Sequence, residues 1–588
     1  MGEKRSVRVD PDPGRPPRAW QGTAYSNKLK ISRRRPSGSR SPAPSIGRRG
    51  VGRSRDMSLR RHRPRCCLWV GGSVAALVLA VVGVAGVGAH PAIAEIAAQS
   101  GQIRVDETTL AEVEEYLETQ RSELGLPGMA AGIVVGDEVV LLRGFGETEA
   151  DGVAVRPETP FLIASLSKSM TALALMQLVE EGRADLDAPV STYLPELSPG
   201  GDEVSVRDLM HHRSGLTTYT GVEPFAGELG SSLQTNVERL GHLFEASAPY
   251  TYSNANYDTM ALIVERVSGI RFADYMHQQV FEPLDMTHSF VDVTQASEAG
   301  LAQGHYHWLF LGYREHTPPM PPGLAASHTM FSSAEDLTHV LIAHLEGGAY
   351  RGNRVVSEES VRVLHQPSPY GSDPNIGYAG GWRVEPSFPP DTPGGLSDLT
   401  TLWHSGGSTA YRGVMWMIPE VELGFVVLAN GNDIADASLL PQVAQGVKSI
   451  LFGLEPREIT ALSPLLLRWG KHLLLAVVVG QVLLAIAAAT PVTRVLRRNR
   501  LRRQNWLILS AATLLDLIAL TLIFLVAPSV GEAPLRVVLD QPDYRILIIG
   551  MAAGVGWGVI RTTLVATGLF RQRSSRASRE SKTEATTT

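Results

Sequence analysis

Cysteine is almost absent from this chain. Its 588 residues include only two cysteines, Cys66 and Cys67, which are adjacent and lie near the N-terminus. Any domain that follows them has no disulfide framework and must be stabilised by its own apolar core. With 44% hydrophobic residues, the chain is long enough for one large domain and additional segments.

Lysine is scarce as well. Between Lys30 and Lys448 the only lysine is Lys168, and every other strong base in that interval is arginine. A buried lysine can lose its proton and act as a base, whereas an arginine keeps its charge. Lys168 is therefore a candidate catalytic base.

The residues around Lys168 predict the start of a buried helix. Helix formers with regularly spaced apolar side chains follow Ser165, and Gly182 is a natural stop. Positions i and i+3 share a helix face, so the Lys168 amine is within reach of the Ser165 hydroxyl. The unpaired N–H groups of the first turn add positive potential around the serine. Ser165 is therefore a candidate nucleophile with a base beside it.

Two further motifs are needed, because a serine three residues before a lysine also occurs by chance as a polar helix start. Tyr252-Ser253-Asn254 precedes a predicted helix and offers a phenol and an amide on a loop. His404-Ser405-Gly406-Gly407 lies at a predicted strand edge, where glycine lets a ligand approach the backbone. Taken alone, Asn254 or Asn256 is equally a helix cap and His404 a strand-end residue.

Other hydrolase motifs are missing. The chain has no G-x-S-x-G elbow, which argues against an α/β-hydrolase. The pair His211-His212 has no third ligand cluster and no H-E-x-x-H helix with it, so we predict no metal. No cofactor is implied.

The N-terminal segments predict export. Residues 1–65 are rich in Arg, Ser, Pro and Gly and are interpreted as a basic disordered tail, for which a solvated tail is favoured over nucleic-acid binding. Residues 66–94 combine a basic flank, an uncharged apolar run and a small-x-small end, as in a signal peptide or signal anchor. Met57 would open a signal of ordinary length, so residues 1–56 are interpreted as lying upstream of the true start.

The C-terminal part predicts three transmembrane helices, at 472–492, 506–528 and 546–570, after a linker at 456–471. Arginines crowd the first connection and acidic residues the second, and the tail at 571–588 is again basic. Positive loops stay in the cytoplasm, so the preceding domain is expected outside the cell membrane, tethered to the lipid bilayer.

Two charges inside these helices are predicted to pair. Asp516 and Arg561 lie at matching depths, roughly 15 Å from the cytoplasmic ends at 1.5 Å per residue. A buried intramembrane charge is costly unless it is paired. Arg561 also continues a ridge of Gly550, Gly554 and Gly558, which predicts close contact between the second and third helices. The alternative is that the charges line a polar groove or that Arg561 reaches the headgroups.

The region 95–455 predicts an α+β domain. A helix is expected over 107–121, followed by a strand pair at 129–135 and 138–145. Three more strands are expected near the far end, at 399–405, 411–418 and 423–430, before a helix at 434–452. The segment between is mostly helical, with Pro- and Gly-rich loops. An antiparallel sheet built from both ends of the domain, with a helical insertion, follows from this order.

Together, Ser-x-x-Lys, Tyr-x-Asn and His-Ser-Gly are far more specific than any one of them. On these motifs the region from about 105 to 455 resembles the serine β-lactamase and penicillin-binding-protein superfamily, in its class C β-lactamase-like branch. Further matching phrases are Asp208-Leu209-Met210-His211-His212-Arg213-Ser214-Gly215-Leu216, Pro283-Leu284-Asp285-Met286, Ser332-Ser333-Ala334-Glu335-Asp336-Leu337 and Val426-Val427-Leu428-Ala429-Asn430.

The resemblance implies a role for each motif. It implies that Ser165 is acylated, that Lys168 and Tyr252 handle protons, and that Asn254 orients the substrate amide. His404, Ser405, Gly406 and Gly407 would bind substrate, with the backbone N–H groups of Ser165 and Gly407 as the oxyanion hole. From the residues alone, Tyr252 near cations is expected to be held partly as phenolate.

One departure bears on the substrate. Many β-lactamases of this branch have lysine where this chain has His404, a group that helps to bind the substrate carboxylate. Histidine is only partly charged near neutrality, so efficient penicillin hydrolysis is less favoured. Arg412 is a candidate replacement for that cation, or simply a surface strand residue.

These observations predict a membrane-tethered serine hydrolase that works through an acyl-enzyme on D-amino-acid peptides or small esters and amides. The alternatives are a β-lactamase proper, a penicillin-binding receptor that signals through the C-terminal helices, and an inactive binding module. The short cytosolic segments disfavour the receptor, and the intact Lys168 disfavours the inactive module.

Overall fold

The computed structural model describes most of the chain after residue 104. The described residues are 105–149, 152–217, 232–309, 312–318, 320–370, 375–390, 392, 396–432, 439–457, 462–498, 503–529 and 542–584. The tail expected at 1–65 and the export signal expected at 66–94 lie outside them.

Strands and helices alternate through the hydrolase region. The strands are β1 (Gly128–Val135), β2 (Glu138–Gly146), β3 (Phe161–Leu162), β4 (His305–Trp308), β5 (Gly312–Glu315), β6 (Phe331–Ser332), β7 (Ala349–Tyr350), β8 (Asn353–Arg354), β9 (Ser368–Pro369), β10 (Gly377–Tyr378), β11 (Arg383–Pro386), β12 (Thr400–Gly407), β13 (Arg412–Ile418), β14 (Leu423–Ala429) and β15 (Gly431–Asn432). The helices there are α1 (Glu107–Leu124), α2 (Ser167–Glu180), α3 (Val206–Met210), α4 (Leu233–Glu238), α5 (Asn254–Ser268), α6 (Phe272–Met276), α7 (Val293–Glu298), α8 (Ala334–Leu345), α9 (Glu358–His365) and α10 (Leu439–Leu451).

The central feature is an eight-stranded sheet in the order β2-β1-β14-β13-β12-β11-β10-β9, with antiparallel neighbours throughout. Strand β1 from the start of the domain pairs with β14 from its end, with Met129 opposite Ala429. The predicted antiparallel sheet from both chain ends is therefore confirmed, as are its five main strands. The helix expected at 434–452 is observed as Leu439–Leu451, and residues 433–438 lie outside the described part.

Both faces of this sheet are covered. One face packs on the helical insertion, where α2 and α5 carry buried side chains such as Met170 and Tyr257. The other face packs on α1 and α10, and Trp416 of β13 donates through Nε1 to the Ala444 carbonyl at 3.3 Å. Every residue of β14 is consequently buried, which explains its uninterrupted apolar sequence.

Several short strands were missed by the sequence analysis. Strands β4 and β5 form a hairpin in the region expected to be mainly helical, and β15 adds to β4 in parallel. The four-residue strands of this hairpin are too short for a periodic pattern. They are ordered by contacts to distant segments, because Asn430 O accepts from His305 N at 2.8 Å.

Three helices at the C-terminus are long and apolar enough to cross a membrane: α11 (Leu462–Arg498), α12 (Arg503–Ser529) and α13 (Pro542–Glu584). Their candidate spans are Lys471–Thr493, Gln504–Leu522 and Asp543–Arg579. The linker expected at 456–471 is helical from Leu462 onward, because the apolar run extends back into α11.

The predicted charge pair between the second and third of these helices is confirmed. Arg561 Nη2 lies 2.8 Å from Asp516 Oδ2 and donates to Thr513 Oγ1 at 2.9 Å. The glycine ridge was only partly predicted: Gly558 faces Asp516, whereas Gly554 faces Gln481 of α11. Gln481 Nε2 also donates to Asp516 Oδ1 at 3.2 Å, so the polar cluster joins all three helices.

Candidate active site

Ser165 lies in a short 3-10 turn, Ala164–Leu166, that leads directly into α2. The sequence analysis placed it in the first α-helical turn, and the difference is one of turn type. Ala164 adopts a φ of 47°, a left-handed conformation that is unusual for a residue with a Cβ atom. Ser167 Oγ donates to the Ala164 carbonyl at 2.6 Å and fixes this turn. The strained backbone thus presents Ser165, which stays partly exposed, at the head of a buried helix.

Lys168 is completely buried and contacts three oxygen atoms. Its Nζ lies 3.1 Å from Ser165 Oγ, 2.8 Å from Asn254 Oδ1 and 2.7 Å from the Ser327 carbonyl. The amide and carbonyl oxygens only accept, so a neutral amine donates its two protons to them. Its lone pair then remains for the Ser165 hydroxyl. This geometry suits Lys168 as the base that takes the serine proton.

The electrostatics favour the neutral amine. Burial lowers the pKa of Lys168 to about 7, with Asp258 opposing and Arg383 adding to this effect. Asp258 is a buried carboxyl one helical turn after Asn254, and it accepts from Ser327 Oγ at 3.1 Å. Burial raises the pKa of Asp258 to about 7. A base poised near neutral pH is what proton transfer from a hydroxyl requires.

Asp258 was not found by the sequence analysis. It lies four residues after Asn254, so the two side chains share one face of α5. That spacing was a usable signal, because a buried acidic residue in a helix is unusual.

Tyr252 is the second group on the nucleophile. Its hydroxyl donates to Ser165 Oγ at 2.9 Å. The expectation that it is held partly as phenolate is wrong, because burial raises the pKa of Tyr252 to about 12 despite the opposing effects of Ser165 and Arg383. Tyr252 is therefore a neutral hydrogen-bond donor near pH 7, able to give a proton to a departing group.

Asn254 was expected in the loop before α5, but it is the first residue of that helix. The N-cap is Ser253, so the helix-cap role considered for Asn254 does not apply. Since Lys168 donates to Oδ1, the Asn254 Nδ2 group points elsewhere and remains a donor for a substrate carbonyl.

His212 holds the start of α5 through hydrogen bonds. Its Nδ1 accepts from Ser253 N at 3.2 Å and contacts Asn256 Nδ2 at 2.9 Å. Burial, with the nearby Arg383 cation, holds the pKa of His212 well below its usual value, so the ring is neutral. Its Nδ1 lone pair is used within the protein, which gives His212 a structural role beside Tyr252.

The end of β12 packs against the turn that contains Ser165. A Cβ atom on Gly406 would lie 2.1 Å from the Ile163 carbonyl and 3.2 Å from Ser165 N. Only glycine therefore fits, and its strand brings the Ser405-Gly406-Gly407 backbone beside the Ser165 N–H group. The backbone N–H groups of Ser165 and Gly407 are therefore the candidate oxyanion hole.

His404 is not the cation considered in the sequence analysis. It is 3% exposed; its Nδ1 lies 2.9 Å from the Ser405 carbonyl and its Nε2 3.1 Å from Tyr378 Oη. The carbonyl accepts only, so the proton is on Nδ1 and Nε2 accepts from the tyrosine. Burial, with the nearby Arg383 cation, holds the pKa of His404 well below its usual value. Its ring centroid lies 6.0 Å from that of Tyr252, so it forms part of the site wall.

Two arginines supply positive charge instead. Arg412 pairs with Gly407 across the strands, and a Cβ atom on Gly407 would lie 2.2 Å from Arg412 Nη1. Burial lowers the pKa of Arg412 to about 10, so the guanidinium is still charged at neutral pH. Within the described residues its Nε is buried without a hydrogen-bond partner. Arg383 lies 5.9 Å from the Tyr252 ring centroid. A substrate carboxylate would satisfy both the charge and the geometry here.

Comparison with known proteins identifies the family of this domain. A family model described as Beta-lactamase matches residues 113–447, more than half of the chain. The protein PbpX of Bacillus subtilis (strain 168) is 29% identical over 255 residues, which are 42% of this chain and 62% of PbpX. Protein flp of Staphylococcus aureus (strain N315) is 25% identical over 337 residues, or 55% and 63% of the two chains. The chain thus spans a little under two thirds of the length of these relatives.

Two solved structures share the fold. The octameric penicillin-binding protein homologue from Pyrococcus abyssi superposes with a TM-score of 0.52 at 26% identity, covering 60% of this chain and 80% of that one. A class C β-lactamase carrying a tyrosine-to-phenylalanine substitution gives a TM-score of 0.50 at 19% identity, covering 59% and 98%. The expected β-lactamase-like fold is confirmed.

Proposed function

This chain belongs to the β-lactamase family, and from that premise we propose that it is a membrane-tethered serine hydrolase acting on D-amino-acid peptides or on small esters and amides. The observation that carries the proposal is the Lys168 amine, with both N–H groups engaged by Asn254 and Ser327 and its lone pair left for Ser165.

The reaction follows from the contacts of Ser165. Its hydroxyl proton passes to Lys168 Nζ as Oγ bonds to the substrate carbonyl carbon. The resulting oxyanion is stabilised by the N–H groups of Ser165 and Gly407. When the bond to the leaving group breaks, Tyr252 is placed to give that group a proton and Lys168 to restore the phenol. Water then hydrolyses the acyl-enzyme, and the proton it loses returns to Ser165 Oγ.

The charge of the site supports a substrate with a carboxylate near the scissile bond. Arg412 is a half-buried guanidinium beside Gly407, and its Nε is buried without a hydrogen-bond partner among the described residues. A buried donor without a partner is costly, and a carboxylate ligand would remove that cost. A peptide that ends in a free carboxylate fits better than a neutral ester on this argument.

An extracytoplasmic domain is part of the proposal. The arginine-rich connection after α11 and the acidic connection after α12 support it through the positive-inside rule. The lipid bilayer is the partner of the C-terminal helices, and no nucleic acid is involved.

Two covalent probes test this function. Membranes containing the full chain are incubated with a fluorescent fluorophosphonate and with a fluorescent penicillin, using Ser165→Ala as the control. Labelling by both probes identifies a penicillin-binding enzyme, and labelling by the fluorophosphonate alone identifies an esterase. Labelling by neither probe, or persistent labelling of the Ser165→Ala variant, would contradict the proposal.

A further inference from the structure

The hydrolase domain is joined to its membrane helices by a buried charged cluster. Lys471 of α11 and Asp543 of α13 form an ion pair at 3.0 Å, with side chains 3% and 0% exposed. Tyr306 of β4 is fully buried and donates its hydroxyl to Asp543. Lys471 Nζ also donates to Tyr306 Oη and to the His307 carbonyl, both at 3.1 Å. A desolvated pair with several hydrogen bonds fixes a geometry, because each partner is costly to leave unpaired.

An apolar contact accompanies the charged one. Leu309, which follows β4 in the β4–β5 hairpin, packs against the apolar cluster of the three C-terminal helices, which includes Leu474 and Tyr544. The hairpin is thus held to the membrane helices by both kinds of contact. The candidate spans of α11 and α13 begin at Lys471 and Asp543, so the junction lies at the apolar boundary.

The same hairpin holds the turn that follows the catalytic strand β12. His305 N donates to the Ala410 carbonyl at 3.2 Å, and His316 Nε2 lies 3.2 Å from Thr409 Oγ1. Asn432, which pairs with Tyr306, donates through Nδ2 to the Ser408 carbonyl. Ser408 directly follows Gly407, a candidate oxyanion-hole residue.

These contacts limit the height of the active site above the membrane. One hydrogen bond joins His305 to Ala410, and Gly407 lies three residues before Ala410. The path from His305 to Gly407 is therefore less than roughly 20 Å long even if the chain is extended. The polar layer of a bilayer leaflet is itself about 5–8 Å thick. The oxyanion-hole end of the sheet is therefore held within roughly 20 Å of the hairpin residues that contact the C-terminal helices.

We propose that the substrate is a membrane-anchored amphiphile, whose scissile bond lies within about six extended residues of its lipid anchor. This inference rests on the proposed function, because it concerns the substrate of the same Ser165 site. Fixing the catalytic strand near the bilayer does not change the effective concentration of a freely diffusing substrate. It raises that of an anchored substrate, because enzyme and substrate are confined to the same surface.

The first test measures the position of the site. The full chain in lipid nanodiscs is labelled at Ser165 with the fluorescent fluorophosphonate, and energy transfer to an acceptor on lipid headgroups is recorded. Efficient transfer is expected. Inefficient transfer from a labelled protein would overturn this inference while leaving the proposed function intact. Labelling by neither this probe nor the fluorescent penicillin would overturn the proposed function.

The second test measures preference. Two substrates share one reacting group, and only one carries a palmitoyl chain. In a Lys471→Met/Asp543→Asn variant, kcat/KM for the anchored substrate is expected to fall about tenfold, because the site is no longer held at the surface. The soluble substrate should change less than about twofold, which also shows that the domain is folded.

The matched control removes the same kinds of charge inside the membrane. Asp516→Asn/Arg561→Met should leave the ratio of the two kcat/KM values unchanged. Tyr306→Phe, which removes one hydroxyl, should give a smaller loss in the same direction as the junction variant. Equal losses for both substrates, or no loss for the anchored one, would overturn the inference.

Discussion

Lys168 and Asp258 meet at a single residue, Ser327, whose carbonyl accepts from the lysine at 2.7 Å and whose hydroxyl donates to the aspartate at 3.1 Å. A buried acid and a buried amine therefore lie on either side of one backbone position. The carboxylate favours the protonated amine, and burial of both groups opposes their charges.

Asp258→Asn should shift the pH dependence of acylation. Removing the carboxylate takes away the interaction that raises the pKa of Lys168, so that pKa falls below about 7. Since the neutral amine is the base, the rising limb of the acylation rate moves to lower pH. Stopped-flow acylation between pH 5 and 9 measures it. Asp336→Asn, at another buried acid, is the control, and an unmoved limb in Asp258→Asn would show that Asp258 has no influence on the base.

Lys168→Arg should abolish acylation while the fold persists. The guanidinium keeps its proton at neutral pH and cannot accept another from Ser165. We expect a loss on the order of a hundredfold or more, as for removal of a general base. Mass spectrometry locates the adduct in the parent protein on the Ser165 peptide, and thermal unfolding of the variant checks its fold. A near-normal rate would mean that Lys168 acts only as a fixed charge.

Arg412→Met should discriminate between substrates by charge. If the guanidinium binds the substrate carboxylate, kcat/KM for an anionic substrate should fall by about tenfold or more, since truncating one partner of a buried charge pair costs about 2–5 kcal/mol. A neutral ester should be affected much less. Arg183→Met removes a cation that is 43% exposed and serves as the control. Similar losses for both substrates would assign Arg412 a structural role.

His404 should not contribute a titration to substrate binding. Burial holds its pKa well below the usual value, so the ring is neutral near neutral pH. The ratio of kcat/KM values for an anionic and a neutral substrate should therefore be flat between pH 6 and 8. A ratio that falls as pH rises through this range would show that His404 binds the substrate carboxylate as a cation, as considered from the sequence.

The intramembrane pair should behave as a unit. Asp516→Ala or Arg561→Ala alone leaves one buried charge without its partner, so each should lower the yield of folded membrane protein more than the double change does. Purified yield after detergent extraction measures this, and additive losses would contradict the pairing.

A disulfide offers an independent check on the same helices. A Cβ atom on Gly558 would lie 3.4 Å from Asp516 Cβ, close to the separation found in disulfides. Asp516→Cys with Gly558→Cys, in a background without Cys66 and Cys67, should therefore crosslink on oxidation. Asp516→Cys paired with Gly556→Cys is the control, because Gly556 faces open space. Equal crosslinking of both pairs would contradict the observed helix orientation.

Much of this structure could be predicted from the spacing of residues in the sequence alone. Ser165 and Lys168 are brought together by helix geometry, and the three membrane helices follow from hydropathy and length. The pairing of Asp516 with Arg561 also followed, because their depths can be counted along two helices. The five long strands followed from alternation and turn residues.

The tertiary structure decided the protonation states of the site residues and the contacts between the hydrolase domain and the C-terminal helices. Lys168 and the Ser327 carbonyl are 159 positions apart, and Tyr306 and Asp543 are 237 apart, so no local pattern shows that they meet. Whether Tyr252 is a phenol or a phenolate, and whether His404 is neutral or charged, depends on how fully each group is removed from water. Desolvation is set by packing from several distant segments at once, and for these residues it outweighed the neighbouring charges that the sequence made visible.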